Sequence, residues 1–390
     1  MAAAALAARA GQAVRKLASN RLADTVPRNV LDDIYRCSFK RQTGVSLKYI
    51  IDFGQYPIER QMLVSAQFLH NELPVRLAHR VAELENLPHG LSEKSRILKV
   101  RDMYVESFKE LRDFSAIKDM TDEVNFTSLL QKIYTRHANV VPLMALGVSE
   151  LKRDIARSGQ GTSMMDLPEI HQFLDGFYMS RIGIRMLIGQ HIALKTQQPG
   201  YIGLINIKLN PANLAYNAID DARSICLRRY GSAPEVEVYA DEDFTFSYVP
   251  EHLHHMLFEL VKNSLRSVQE RFQDSHEDPP PIRVIIATGG EDVTIKVSDE
   301  GGGIPRSGLH RIWTYMYTTA ELSVLEEIDT SGADELDTPA VLAGYGYGLP
   351  LSRLYARYFG GDLQILSMEG YGTDAYLHIN RLGNVQEPLP

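Results

Sequence analysis

Cysteine is nearly missing from this chain. Only Cys37 and Cys226 occur in 390 residues. Two thiols cannot build a disulfide framework, and no Cys/His cluster has zinc spacing. A reducing compartment fits that usage. Excess positive charge is missing too: the formal charge is −8, which argues against a nucleic-acid binder. Long apolar runs are also absent. The longest, Val140 to Val148, is short and broken by Pro142, so no transmembrane helix is expected. What remains is ordinary globular composition, 44% apolar and 23% charged. A chain of 390 residues exceeds one typical core, so two domains are expected.

The first residues lack acids altogether. Met1 to Leu22 is alanine-rich and carries Arg9, Arg15, Lys16 and Arg21, with no acid before Asp24. That composition resembles a mitochondrial transit peptide; an alanine-rich first helix is the other reading. We expect residues 1–27 to be a targeting segment.

From about residue 28 the periodicity is helical. Phe68, Leu69, Leu73, Leu77 and Val81 recur at helical spacing, as do Phe173, Leu174, Phe177 and Tyr178. Breakers at Leu87-Pro88-His89-Gly90, Ser158-Gly159-Gln160-Gly161 and Gln198-Pro199-Gly200 separate the helices. An antiparallel helical bundle over 28–198 follows. After Gly200 the texture changes. Tyr201 to Leu209 reads as a strand, and Asn210-Pro211 as a cap and first turn. Glu235–Tyr239, Arg283–Ala287, Val293–Val297, Leu363–Ser367 and Asp374–Ile379 alternate as strands. Helices between them imply a mixed sheet. Ser323 to Thr338 is acidic and polar, and is expected to be a mobile loop.

Three motifs carry chemistry. His255, Glu259 and Asn263 are spaced at four on one helix and share a face. Asn263 offers a neutral oxygen suited to Mg²⁺, Glu259 can accept a proton, and His255 can orient or tune that carboxylate. Alone, such a triplet is more often a solvated helix face. Asp299 ends a strand before Glu300-Gly301-Gly302-Gly303. It can accept a hydrogen bond from an adenine amino group, and Gly301 and Gly303 leave room for a base; a plain turn is the alternative. Gly344, Gly346 and Gly348 precede a helical pattern, where free amides attract phosphate. No P-loop, dinucleotide fingerprint or eukaryotic protein-kinase set is present.

In that order the motifs resemble the Bergerat-fold ATPases, which include gyrase B, MutL and histidine kinases. A closer resemblance is to the mitochondrial pyruvate dehydrogenase kinases. It rests on Glu72 to Ala78, Arg136 to Pro142, Phe177 to Leu187 and Gly344 to Arg353, and covers nearly everything after residue 28. Lys40 to Leu47 and the ending Gln386 to Pro390 look like the plant or green-lineage branch. The resemblance implies a helical bundle (28–198), then a Bergerat-type α/β sandwich that binds ATP and Mg²⁺ (199–382), with a lid at about 305–343 and a short tail at 383–390. It implies a matrix enzyme, a homodimer, that phosphorylates serine on the α subunit of pyruvate dehydrogenase and docks on the lipoyl-bearing acetyltransferase.

By the same resemblance Glu259 is the general base, His255 its support and Asn263 the Mg²⁺ ligand. Arg266, Asp299, Gly301, Gly303, Thr318, Thr319, Gly344, Tyr345, Gly346, Tyr347, Gly348, Leu349 and Thr373 hold the nucleotide. Tyr104, Ser107, His137, Ser180, Arg181 and Arg185 match the family's inhibitory site for pyruvate-like acids. Arg181 and Arg185 lie one turn apart in an apolar helix, so they need anionic partners, supplied by a ligand or by internal acids. Tyr134 stands where animal members generally have arginine. The rivals are a branched-chain 2-oxoacid dehydrogenase kinase, a histidine kinase using His137 or His171, and an ATP-gated binding protein.

Overall fold

A computed structural model gives the fold. It describes residue 22 and residues 26–56, 58–157, 167–196, 198–318 and 346–389. The targeting segment lies almost wholly outside these, as do the acidic loop and residues 319–343 of the expected lid.

The chain divides into two compact units, residues 1–43 with 58–180 and residues 44–57 with 181–390. The boundary expected at 198 thus falls earlier, and a short upstream segment joins the second unit.

The first unit is helical. Helices α1 (Arg28–Ser38), α3 (Glu59–Glu85), α4 (Ser95–Asp113), α5 (Met120–Arg136) and α6 (Val140–Arg157) lie in it, while α2 (Leu47–Gly54) belongs to the second. Helix α7 (Pro168–Leu194) carries the boundary after Ser180. Helix α3 packs on α1, α4 and α5, and α4 packs on α6. Leu69, Leu73, Leu77 and Val81 are all buried, as their spacing requires. The Leu87–Gly90 breaker ends α3 with two left-handed residues, His89 (φ 56°) and Gly90 (φ 76°). Charged pairs are buried in this unit: Arg101 on α4 pairs with Glu85 on α3, and Arg76 Nε donates to Glu72 Oε1 at 2.9 Å. Its NH2 donates to the Thr43 carbonyl at 2.7 Å, and Thr43 N–H returns to Glu72. Those backbone partners satisfy the charges that burial would otherwise penalise.

The second unit is built on a five-stranded sheet, β3 (Val236–Tyr239), β5 (Ile282–Thr288), β6 (Asp292–Asp299), β7 (Asp362–Met368) and β8 (Gly372–Asn380). Their order is β3-β5-β6-β8-β7, with β3 and β5 parallel and the other neighbours antiparallel. The mixed sheet read from the alternation is therefore present. Val293, Ile295 and Val297 point inward from β6. Asp299 keeps that parity and is buried where an apolar residue would ordinarily sit. Helices α8 (Pro211–Tyr230), α9 (Pro250–Phe272) and α10 (Gly348–Tyr358) cover the sheet. Asn210 caps α8 by accepting from Asn213 N–H, with Pro211 in the first turn.

The stretch Tyr201–Leu209 is a hairpin rather than one strand, β1 (Tyr201–Ile202) against β2 (Ile205–Leu209). Gly203 takes φ 60° at the turn. A further strand, β4 (Phe246–Tyr248), pairs with β2.

The tail folds back onto its own unit. Glu387 N–H donates to the Val45 carbonyl and Val45 N–H to Glu387 Oε1, at 2.8 and 3.2 Å. Tyr358 OH, at the end of α10, donates to Glu387 Oε2 at 2.9 Å. Lys48 N–H reaches the Gly383 carbonyl. The chain's first strap and last turn are therefore stitched together, which is why residues 44–57 belong to this unit.

Candidate active site

Helix α9 starts at Pro250, whose missing N–H and fixed φ suit the first turn. Leu253, Met256, Leu257, Leu260, Val261, Leu265 and Val268 form its buried stripe. Ser264 sits in the same stripe, four residues from both Leu260 and Val268. Its hydroxyl donates to Asp299 Oδ2 at 2.8 Å. Gly301 N–H donates to Asp299 Oδ1 at 2.9 Å. Burial nonetheless pushes the Asp299 carboxyl above the usual carboxylate range, against the opposite pull of these donors and of Thr373 N–H.

A cavity of about 310 Å³ opens beside this carboxyl. Of the expected nucleotide-site residues, Glu259, Asn263, Arg266, Asp299, Gly303, Thr318, Gly346, Gly348, Leu349 and Thr373 line it. His255, Gly301 and Tyr347 do not line it. Thr319, Gly344 and Tyr345 lie outside the described residues. Gly301 packs against Ser267, where a Cβ would come within 2.5 Å of the serine Cβ. Tyr347 is buried and packs on the Tyr315 ring at 5.1 Å.

The glycine turn after Asp299 is clamped. Gly302 and Gly303 have φ of 92° and 72°, which favours glycine. Arg271, near the end of α9, donates to the carbonyls of Glu300, Tyr371 and Gly370. Ile304 N–H donates to Ser367 Oγ at 2.7 Å, and that oxygen lies 2.9 Å from Thr373 Oγ1. Thr373 stands directly opposite Asp299 in the β6–β8 register.

At the other end Glu259 faces the glycine box. A methyl group on Gly348 would overlap Glu259 Oε2, so the carboxylate lies against the first turn of α10. Lys262 Nζ donates to Glu259 Oε1 at 2.5 Å. His255 is held neutral at physiological pH: burial lowers its pKa, opposed by Glu259. Its Nε2 is shielded from solvent and has no hydrogen-bond partner among the described residues. It packs edge-on against Tyr355. Asn263 makes no side-chain hydrogen bond among the described residues. One uncommitted neutral oxygen at a cavity wall fits Mg²⁺, which keeps several waters and takes its other ligands from phosphate.

Sequence reasoning missed Lys262, Ser264 and Arg271. Ser264 was legible as a hydroxyl in an apolar stripe facing an inward Asp299. Lys262 was legible as the i+3 partner of Glu259. Arg271 gave no local signal.

The residues expected for carboxylate inhibition fall into both units. In the first, Ser107 Oγ meets His137 Nε2 at 2.9 Å and Tyr104 packs on the His137 ring at 4.5 Å. Arg136, unforeseen, donates to Ser107 Oγ at 2.9 Å while paired with Glu110 and Glu106. Ser180, the last residue of that unit, is buried on α7. Arg181 and Arg185 follow on the same helix in the second unit, Arg181 also buried. His137 and His171 are both buried, unlike a histidine that must be presented to another kinase domain.

Residues 248–382 match the histidine kinase-, DNA gyrase B- and HSP90-like ATPase family. Residues 44–206 match the mitochondrial branched-chain alpha-ketoacid dehydrogenase kinase domain. The chain is 58% identical over 376 residues to the mitochondrial pyruvate dehydrogenase (acetyl-transferring) kinase of Arabidopsis thaliana, covering 96% of this chain and 100% of that one. The chain belongs to the pyruvate dehydrogenase kinase family. The kinase of the same name from Schizosaccharomyces pombe is 37% identical, over 89% of this chain and 95% of its own. Human isozyme 3 is 40% identical, over 92% and 87%. The ATPase match spans Glu259, Asp299 and the glycine box, while Ala222, Cys226 and Tyr230 on α8 line the cavity from outside it.

The raised pKa of Asp299 makes a signed prediction. A carboxyl that favours its proton when folded destabilises the fold above its folded pKa and costs nothing below its unfolded one. Asp299→Asn should therefore raise the thermal midpoint of the nucleotide-free protein at pH 7. The gain should shrink as pH falls through the raised folded pKa and be gone below about 4, the ordinary aspartate range. ADP affinity should fall in the same variant. A lower midpoint at pH 7, or unchanged ADP binding, contradicts this assignment.

Proposed function

We propose that this chain is a mitochondrial ATP-dependent protein-serine kinase that phosphorylates the α subunit of pyruvate dehydrogenase and thereby switches the complex off. The observation that carries the chemistry is one cavity with a buried acceptor, Asp299, on its wall and a carboxylate, Glu259, lying against the glycine-box helix. The relatives' names carry the substrate, at identity spanning whole chains. A branched-chain substrate is the second reading, favoured only by the match of residues 44–206.

Asp299 accepts the adenine amino group, with Thr373 beside it on β8. The first turn of α10 offers amides and a positive dipole end to the phosphates. Asn263 would hold Mg²⁺, which supplies charge neutralisation between phosphate oxygens. Glu259 then takes the serine proton as the serine Oγ bonds to the γ-phosphorus and the bond to the β-bridging oxygen breaks, releasing ADP. Phosphoryl transfer leaves little bond-making for a base to assist, so alignment contributes more than basicity.

Regulation completes the reading. Arg181 and Arg185 form the anion-holding pair for pyruvate-like carboxylates, because guanidinium captures carboxylate through paired hydrogen bonds. The kinase is a homodimer in the matrix and docks on the lipoyl-bearing acetyltransferase; solution mass, import assays and co-sedimentation with that component check each.

Labelled ATP should transfer phosphate to serine of pyruvate dehydrogenase in preference to the branched-chain enzyme. Faster labelling of the branched-chain enzyme, or ADP release without phosphoprotein, would reject the proposal. In the same assay dichloroacetate should slow wild type, and Arg181→Ala should lose that response while keeping basal activity. An equally sensitive variant would make Arg181 part of an internal ion pair instead.

A further inference from the structure

We infer that Lys262 is the positioning residue for Glu259 in the transfer step. The inference rests on the reading of Glu259 as proton acceptor. Lys262 lies three residues on from Glu259 along α9, and its ammonium donates to Oε1 at 2.5 Å. The side chains are 17% and 12% exposed, Lys262 and Glu259 in that order. Lys262 Nζ also sits 4.9 Å from the centre of the Phe258 ring, a second favourable contact for the cation. The ammonium is thus held from two sides.

Stability does not explain the pair, because in so buried a pair the desolvation of both charges offsets much of their attraction. Both side chains line the cavity, where an uncommitted carboxylate would otherwise have several rotamers. Among the described residues Lys262 is the hydrogen-bond donor to Glu259. His255, one turn earlier, presents a neutral ring whose Nε2 has no such partner. With Oε1 held by Lys262, Oε2 is left against Gly348, the end of the cavity where the glycine box begins. A serine hydroxyl presented there meets an oxygen with free lone pairs and a fixed direction. The ammonium also compensates the carboxylate's charge near a phosphate-binding turn, which lets two anionic groups share that turn.

The competing role for a cavity lysine is direct binding of phosphate. The two roles separate in kinetics. Lys262→Met should lower kcat by roughly 10–100-fold, the cost of a misaligned reacting group. ADP affinity and KM for ATP should stay within about threefold of wild type, since uniform binding is untouched. Lys262→Arg should recover most of kcat, because it restores a cationic donor. Glu259→Gln should lose roughly 10²–10⁴-fold, and adding Lys262→Met to it should lower kcat no further, since residues acting as a unit are not additive. Thermal midpoints of all four proteins establish folding.

Three results would overturn the inference: a Lys262→Met kcat near wild type, ADP affinity falling in step with kcat, or losses that multiply in the double variant. A near-normal Glu259→Gln enzyme is a different failure. It would remove Glu259 from the mechanism, and Lys262 with it.

Discussion

The site depends on a close approach between two helices. Helix α9 carries Glu259 on its polar face, and α10 begins at Gly348 with no side chain to keep that carboxylate away. The absence of a Cβ at one position allows a carboxylate and a helix N-terminus to share a few ångströms. A similar economy recurs about two turns further along α9, where Gly301 packs on Ser267. Helix α9 thus meets a glycine closely at two places: Gly348, which lines the cavity, and Gly301, which does not.

Such a site opposes stability. Asp299 occupies an inward strand position and is held there by Ser264 and Gly301 against the pull of burial on its charge. Arg271 binds three carbonyls of the surrounding turns and so fixes the left-handed glycine turn at Gly302 and Gly303 in place. The tail contributes at the far end of α10, through Tyr358 and Glu387. The helix that opens at the glycine box is therefore anchored at its other end by residues remote in sequence.

Much of this was legible in the sequence because it is periodic. Alternation placed β5, β6, β7 and β8 within a residue or two, and spacing at four placed Glu259 and Asn263 on the cavity wall. Asn210-Pro211 marked the start of α8 by its own capping chemistry. What escaped is non-local. Nothing near Val45 signals that it bonds to Glu387, hundreds of residues later, so the strap was counted with the bundle. Gly203 split an expected strand into a hairpin because alternation does not report φ. Lys262 escaped for a different reason: an i+3 pair on a helix is common, and only burial beside the cavity distinguishes this one.

Replacing Gly348 with alanine tests the central claim most directly. The new methyl would overlap Glu259 Oε2, and the flexible carboxylate is the part able to yield. Gly348 opens α10 with no left-handed φ that alanine could not adopt, so the thermal midpoint of Gly348→Ala should be unchanged or higher. Its kcat for serine phosphorylation should drop by roughly 10-fold or more, because the acceptor is displaced by about an ångström. A folded Gly348→Ala kinase with wild-type kcat would contradict the account, since Glu259 would then not act from its place against the glycine box.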